Sequence, residues 1–233
     1  MRVEALKCNY EKVLKEIKVA CENVGRSPDE ITIVAVTKNV DVNTMMLAHS
    51  VGMKHFGENR AQELRDKYPE LEDLDVTWHF IGRIQTNKVK YFVPICEYVH
   101  SLWRIEEAKE IQKRADKLGK NIKIFVEVNI TGESTKAGLN EVELKGFLKE
   151  LRVYDRLEII GLMTMAPYVE NPEEVRWVFR RLKEKLNELK NLNGGNIKLE
   201  HLSMGMSNDY RIAVEEGATF VRIGTAIFRG GEK

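Results

Sequence analysis

The sequence predicts an α/β fold, a single (β/α)8 TIM barrel over residues 1–233 with an extra N-terminal helix. Three observations predict it. Eight short apolar runs, rich in β-branched residues, recur about every 20 to 40 residues. Segments of helical period separate them. The Gly-rich dinucleotide turn of the rival fold, an open doubly wound sheet, follows none of them. No linker, low-complexity tract or short repeat divides the chain, so one domain is expected.

Leu6, Tyr10, Val13, Leu14, Ile17, Cys21 and Val24 stand at three-four spacing and predict an amphipathic helix, stopped by Gly25 and Pro28. The run Ile31–Lys38 is apolar up to its last two residues, as in a parallel strand covered on both faces. A helix over Val42–Val51 leads to a strand at Lys54–Glu58, and a helix over Arg60–Tyr68 to a strand at Val76–Gly82. Gln85–Phe92 is the next helix and Glu97–Ser101 the fourth strand. A charged helix over Arg104–Leu118 precedes the strand Asn121–Ile130. Glu141–Leu151 is helical and Leu157–Thr164 a strand. From Pro172 to Leu189, Val175, Val178, Phe179, Leu182, Leu186 and Leu189 share one helical side. Lys198–Ser203 is the seventh strand, Asn208–Glu216 a helix, and Ala218–Phe228 the eighth strand. Little chain follows, so the N-terminal helix is expected to fill the eighth place in the outer ring.

Composition narrows the function. The 37 basic and 36 acidic side chains nearly cancel, which argues against a nucleic-acid partner. No run of about 18 apolar residues exists, so no membrane partner is expected. The N-terminus lacks the apolar core of a signal peptide, and Cys8, Cys21 and Cys96 form no CxxC pair, as in a reducing, cytoplasmic protein. His55, His79, His100 and His201 lie on separate strands without metal-ligand spacing; they read as core or surface histidines, and no metal site is expected. Asn129-Ile130-Thr131 matches a glycosylation sequon, which has no meaning in the cytoplasm.

Barrels of this kind carry their chemistry at the C-terminal ends of the strands. Polar residues there include Lys38, Glu58, Asn59, His79, Ser101, Glu127, Asn129, Ser203 and Arg222. Lys38 ends the first strand; partial desolvation at a strand mouth lowers an amine's pKa and frees it as a nucleophile, although most lysines are solvated surface charges. The turns after the last two strands, His201–Asp209 and Arg222–Phe228, place Ser207, Gly224 and Thr225 where barrels commonly hold a phosphate. Ser207 or Asn208 serving as a cap for the following helix is the plainer reading, compatible with the first. Arg222, in an apolar strand, needs a fixed acceptor such as a ring nitrogen or a carboxylate.

A lysine at strand one, an arginine at strand eight and a phosphate turn beside it suggest pyridoxal 5′-phosphate. The segments AVTK (Ala35–Lys38), FGENRAQE (Phe56–Glu63), WHFIGRIQTNK (Trp78–Lys88), EVNITGESTKAG (Glu127–Gly138), GLMTMAP (Gly161–Pro167), LSMGMSND (Leu202–Asp209) and VRIGTAIF (Val221–Phe228) run in order along nearly the whole chain. In them the sequence resembles the YggS/PROSC family of pyridoxal phosphate homeostasis proteins, single-domain relatives of the alanine racemase barrel. The resemblance implies a fold-type III barrel in which Lys38 carries the cofactor as an internal aldimine. It implies that Ser207, Gly224 and Thr225 hold the phosphate and that Arg222 faces the pyridine nitrogen. Asn59 is implied near the ring, and Met204 as part of the site lining. Arg229-Gly230-Gly231 departs from the family pattern, which has a glycine directly after the phenylalanine.

Arg222 separates the mechanisms. A guanidinium is always charged and cannot keep a ring nitrogen protonated, so carbanion chemistry gains less from the ring. Racemases that resemble this barrel complete their site with a tyrosine from a second domain, and no second domain is expected here. The expectation is an intracellular carrier that holds the cofactor reversibly on Lys38, buffers it and passes it to apo-enzymes, as a monomer without robust turnover. Two enzyme readings stand beside it: a racemase-like amino-acid enzyme, and a barrel acting on a phosphorylated sugar through a Schiff base on Lys38. Either needs a further acid or base, for which His79 and Glu58 are candidates.

Overall fold

The computed structural model describes residues 2–133 and 135–230; among them, eight strands close into one parallel barrel in sequence order. The strands are β1 (Thr32–Val36), β2 (His55–Glu58), β3 (Thr77–Phe80), β4 (Tyr98–Leu102), β5 (Ile122–Glu127), β6 (Leu157–Met163), β7 (Ile197–Ser203) and β8 (Phe220–Ile223). β1 pairs with both β2 and β8, which leaves no open edge. The outer ring comprises α1 (Val3–Asn23), α2 (Val42–Ser50), α3 (Ala61–Lys67), α4 (Val89–Phe92), α5 (Ile105–Leu118), α6 (Leu144–Glu150), α7 (Arg176–Leu189), α8 (Tyr210–Glu215) and α9 (Thr225–Phe228). The predicted barrel is the observed fold.

Several boundaries move, each for a local reason. β1 ends at Val36; Lys38 and Asn39 form a turn in which Asn39 takes a left-handed φ of 59°. β8 ends at Ile223, and Thr225–Phe228, expected in the strand, coils into α9 because Gly224 breaks the extended run. β5 stops at Glu127, after which Val128 bridges to Leu139. Thr86–Lys88 and Pro172–Val175 are tight 3-10 turns leading into α4 and α7 rather than parts of them. Gly231, part of the departing tail, lies outside the described residues.

α1 occupies the eighth place in the ring, between α2 and the pair α8 and α9. It buries Leu6, Val13, Ile17, Ala20 and Cys21. Polar ties fix its register: Asn9 Nδ2 donates to the Ile227 carbonyl at 2.9 Å, and the Tyr210 hydroxyl to Glu16. Just past α1, the Arg26 guanidinium donates to the carbonyls of Val214 and Ala218 at 2.7 and 2.9 Å.

Two cores result. A large one lies between strands and helices, where α7, for example, sinks Val178, Phe179, Leu182, Leu186 and Leu189. A smaller one, with Val34, Phe125, Ile160, Met163 and Phe220, fills the barrel itself. Phe220 on β8 meets His79 on β3 and Phe125 on β5, contacts between non-neighbouring strands that only the barrel interior allows.

Strand spacing makes Gly161 obligatory: a Cβ there would sit 1.9 Å from the His201 carbonyl oxygen of β7, whereas a Cβ on Gly146 in α6 meets nothing within 4 Å. Gly161→Ala is expected to destabilise the barrel by about 3 kcal/mol or more, because backbone must give way. Gly146→Ala is expected to stabilise it by about 0.5 to 1 kcal/mol through the lost freedom of the unfolded chain. Urea unfolding of the two variants checks both signs.

Candidate functional site

At the C-terminal ends of the strands lies a cleft of about 800 Å3. Its walls come from the turn after β1 (Lys38–Asp41), from Asn59 after β2, from Met165 and Tyr168 after β6, and from the turns after β7 and β8. Lys38, Asn59, Ser207, Arg222, Gly224 and Thr225, expected together from sequence, all line it.

Lys38 is exposed in its turn, so the partial desolvation expected at the strand mouth is not found. The turn itself is firmly held. Thr37, beside it, is fully buried; its Oγ1 donates to Glu58 Oε1 at 2.7 Å. Lys67, on α3, donates from Nζ both to the Thr37 carbonyl at 2.9 Å and to Glu58 Oε1 at 2.7 Å. Burial pushes the Glu58 carboxyl up, opposed by Lys67 and Thr37. Glu58 thus anchors the lysine turn through Oε1, and it does not line the cleft where the acid or base considered from sequence would act. On the other side, Asp41 caps α2 by accepting from the Thr44 amide at 2.9 Å.

The turns after β7 and β8 brace each other. Ser207 Oγ accepts from the amides of Gly224 and Ala226, both at 3.2 Å. It thus caps the turn into α9, across the barrel seam, and not α8 as the plainer sequence reading had it. Gly205 holds φ at +93°, and a Cβ there would lie 2.6 Å from the Ala213 Cβ. A Cβ on Gly224 would crowd Val36 at 3.3 Å. The two glycines let the turns approach this closely.

Arg222 is 5% exposed. Its guanidinium donates to Ser203 Oγ at 2.5 Å and to the Thr164 carbonyl at 3.0 Å. Burial pulls its pKa down to about 10, against the opposing charges of Glu127 and Asp209. Asp209 accepts from the Met206 amide at 2.6 Å, and burial raises its carboxyl. Asn59 Oδ1 is buried without a hydrogen-bond partner, an acceptor left for whatever the cleft takes in.

Met204 does not line the cleft: it is fully buried in the outer core, and Met206 takes the place expected of it. Lys67 and Tyr168 were not singled out from sequence. Nothing in the spacing of Lys67 marks a residue nine positions after Glu58 as its partner, and Tyr168 sits in a loop whose path only the fold defines. Among the described residues, no group of three or more His, Cys, Asp or Glu side chains is placed to hold a metal ion.

Residues 11–231 match the family model described as alanine racemase, N-terminal domain. A pyridoxal phosphate homeostasis protein of Aquifex aeolicus is 46% identical over 217 residues, covering 93% of this chain and 94% of that protein. One from Pseudomonas aeruginosa is 35% identical over 220 residues, covering 94% and 93%. Among solved structures, PipY of Synechococcus elongatus PCC7942 with PLP bound superposes with a TM-score of 0.80 at 33% identity, over 91% of this chain and 99% of that one.

Glu127, at the end of β5, has its carboxyl raised from 4.5 to about 7, chiefly by burial, with Arg222 opposing. A carboxyl raised on folding contributes stability below its unfolded value, and that contribution is lost as pH rises to the folded one. The interval corresponds to about 3 kcal/mol. Wild-type stability is expected to fall by about this amount between pH 4.5 and 7 through this group. Glu127→Gln, which keeps the neutral shape, is expected to flatten that slope in urea unfolding at pH 5 and 8.

Proposed function

From the premise that this chain belongs to the pyridoxal phosphate homeostasis protein family, we propose that it holds pyridoxal 5′-phosphate reversibly on Lys38 and buffers or delivers it, without robust turnover. The observation that carries this reading is the convergence on one cleft of an exposed primary amine and a braced double turn, Ser207 with Gly224–Ala226. The cofactor supplies an aldehyde, with which a primary amine condenses with loss of water.

The residues present fit that group. Lys38 offers the amine on a turn fixed by Glu58 and Lys67, and its exposure keeps the bond open to water and competing amines. Ser207, Gly224 and Thr225 form the phosphate end, where the glycine admits close backbone approach. Arg222 supplies donors and no acceptor. The unpartnered Asn59 Oδ1 would accept a hydrogen bond from the bound group.

The carrier reading rests on the same geometry. The carboxylates that line the cleft are engaged, Asp41 with the Thr44 amide and Asp209 with the Met206 amide. A donor-only arginine favours holding the ring over drawing electrons into it. The recipients are apo-enzymes that use the same cofactor, and the working unit is a single-domain monomer in the cytoplasm. No helix among the described residues is long and apolar enough to cross a membrane.

Absorbance on adding pyridoxal phosphate tests the reading. A visible band is expected in the wild type, fixed to the Lys38 peptide by borohydride and absent from Lys38→Ala. Ser207→Ala is expected to weaken binding about tenfold, one hydrogen-bonded contact. A colourless wild type at saturating cofactor sinks the proposal; steady racemisation of added L-amino acids sinks its carrier half.

A further inference from the structure

The inner core holds a polar chain that the cleft does not use. His55, at the start of β2, lies with Nδ1 3.0 Å from His79 Nε2 on β3. His79 Nδ1 is 2.9 Å from His100 Nε2 on β4. His100 Nδ1 is 2.7 Å from Ser203 Oγ, across the barrel on β7. Ser203 Oγ in turn accepts from Arg222 at 2.5 Å. The chain climbs from the N-terminal end of the barrel to the floor of the cleft, with His79, His100 and Ser203 fully buried.

Counting donors gives the chain one direction. A guanidinium only donates, so Ser203 Oγ accepts from it. The hydroxyl proton has one remaining acceptor among the described residues, His100 Nδ1. His100 therefore carries its proton on Nε2 and donates to His79 Nδ1. His79 likewise carries Nε2–H and donates to His55 Nδ1. The reverse order would leave the serine proton buried without an acceptor. Because its last member cannot take up a proton, the chain is closed to proton conduction; what it does is hold.

We propose that Ser203, His100 and His79 are positioning residues for Arg222, a tautomer-locked chain that presents Ser203 Oγ as a permanent acceptor and so pins the guanidinium at the cleft floor. Burial, foremost, keeps the two inner histidines neutral, aided by the positive charge of Lys123 toward His79 and of Arg222 toward His100. Tyr98 stacks on His79 at 4.4 Å, and Phe125 and Phe220 close around His100. Lys54, Glu97 and Lys123 face His55 at the far end, where burial also lowers its pKa. Only the cofactor arm of the test below rests on the proposed function.

The test uses the cofactor-free protein. In nitrogen-15 spectra, His79 and His100 are expected as single Nε2–H tautomers from pH 5 to 9, and the Arg222 Nη protons as separate, slowly exchanging signals. Ser203→Ala is expected to give His100 a mixed tautomer and to collapse the Arg222 signals, and Ser203→Thr to restore both. Pyridoxal phosphate affinity is expected to drop about tenfold in the alanine variant and to recover in the threonine variant. Wild-type His100 carrying Nδ1–H overturns the proposal even if no variant folds. So do Arg222 signals that stay resolved in Ser203→Ala. A wild type that binds no cofactor, with tautomers and Arg222 signals as expected, refutes the carrier reading and leaves the lock standing.

Discussion

A permanent positive charge inside the barrel is the constraint around which the rest is arranged. Arg222 projects from β8 at 5% exposure, where an uncompensated charge would cost more than a domain's whole stability. Its acceptors come from the ends of β6 and β7, and its counter-charges from Glu127 on β5 and Asp209 after β7. These groups lie at the strands' C-terminal ends. Below them the barrel fills with Phe125, Phe220, Val34 and the imidazoles. The polar layer is the set of groups that receive and balance this one charge.

Around that charge the cleft is assembled from turns, each held from outside. Lys67 reaches from α3 to fix the backbone beside Lys38. Ser207 reaches across the seam to the amides that follow β8. Asn208 ties the loop after β6 by donating to the Val169 carbonyl at 2.9 Å. Lining residues such as Ser207 and Asn208 thus also brace the turns, so the binding surface is held by the rigid barrel beneath it.

The barrel was legible in the sequence because its signals are local: β-branched runs, helical periods and the absence of a dinucleotide turn all act within a few residues. The strand ends were less legible. Lys38 looked like the last residue of a strand since Thr37 and Lys38 follow an unbroken apolar run; the turn is decided by a left-handed Asn39 and by Lys67, thirty positions away. Ser207, Gly224 and Thr225 could be placed together because both turns recur at known places in such barrels. Met204 and Met206 could not be told apart, since two residues in one turn differ only in which way the chain happens to face. The histidines read as core or surface residues, with His79 a candidate acid or base, and nothing in the sequence joined them, for the same reason. Their connection spans β2, β3, β4 and β7, and no spacing in a linear chain records who meets whom across a closed sheet.

The clasp between α1 and α9 carries a consequence for how the molecule is made. Asn9 and Ile227 are hydrogen-bonded although 218 positions apart, and β1 pairs along its length with β8. On the ribosome α1 and β1 emerge long before α9 and β8, and the faces they turn toward those elements stay uncovered until then. The turn carrying Gly224 and Thr225 follows β8, the last strand of the barrel. The nascent barrel therefore has no finished binding floor until β8 and the turn after it have been made, and until then its uncovered apolar faces are open to wrong association.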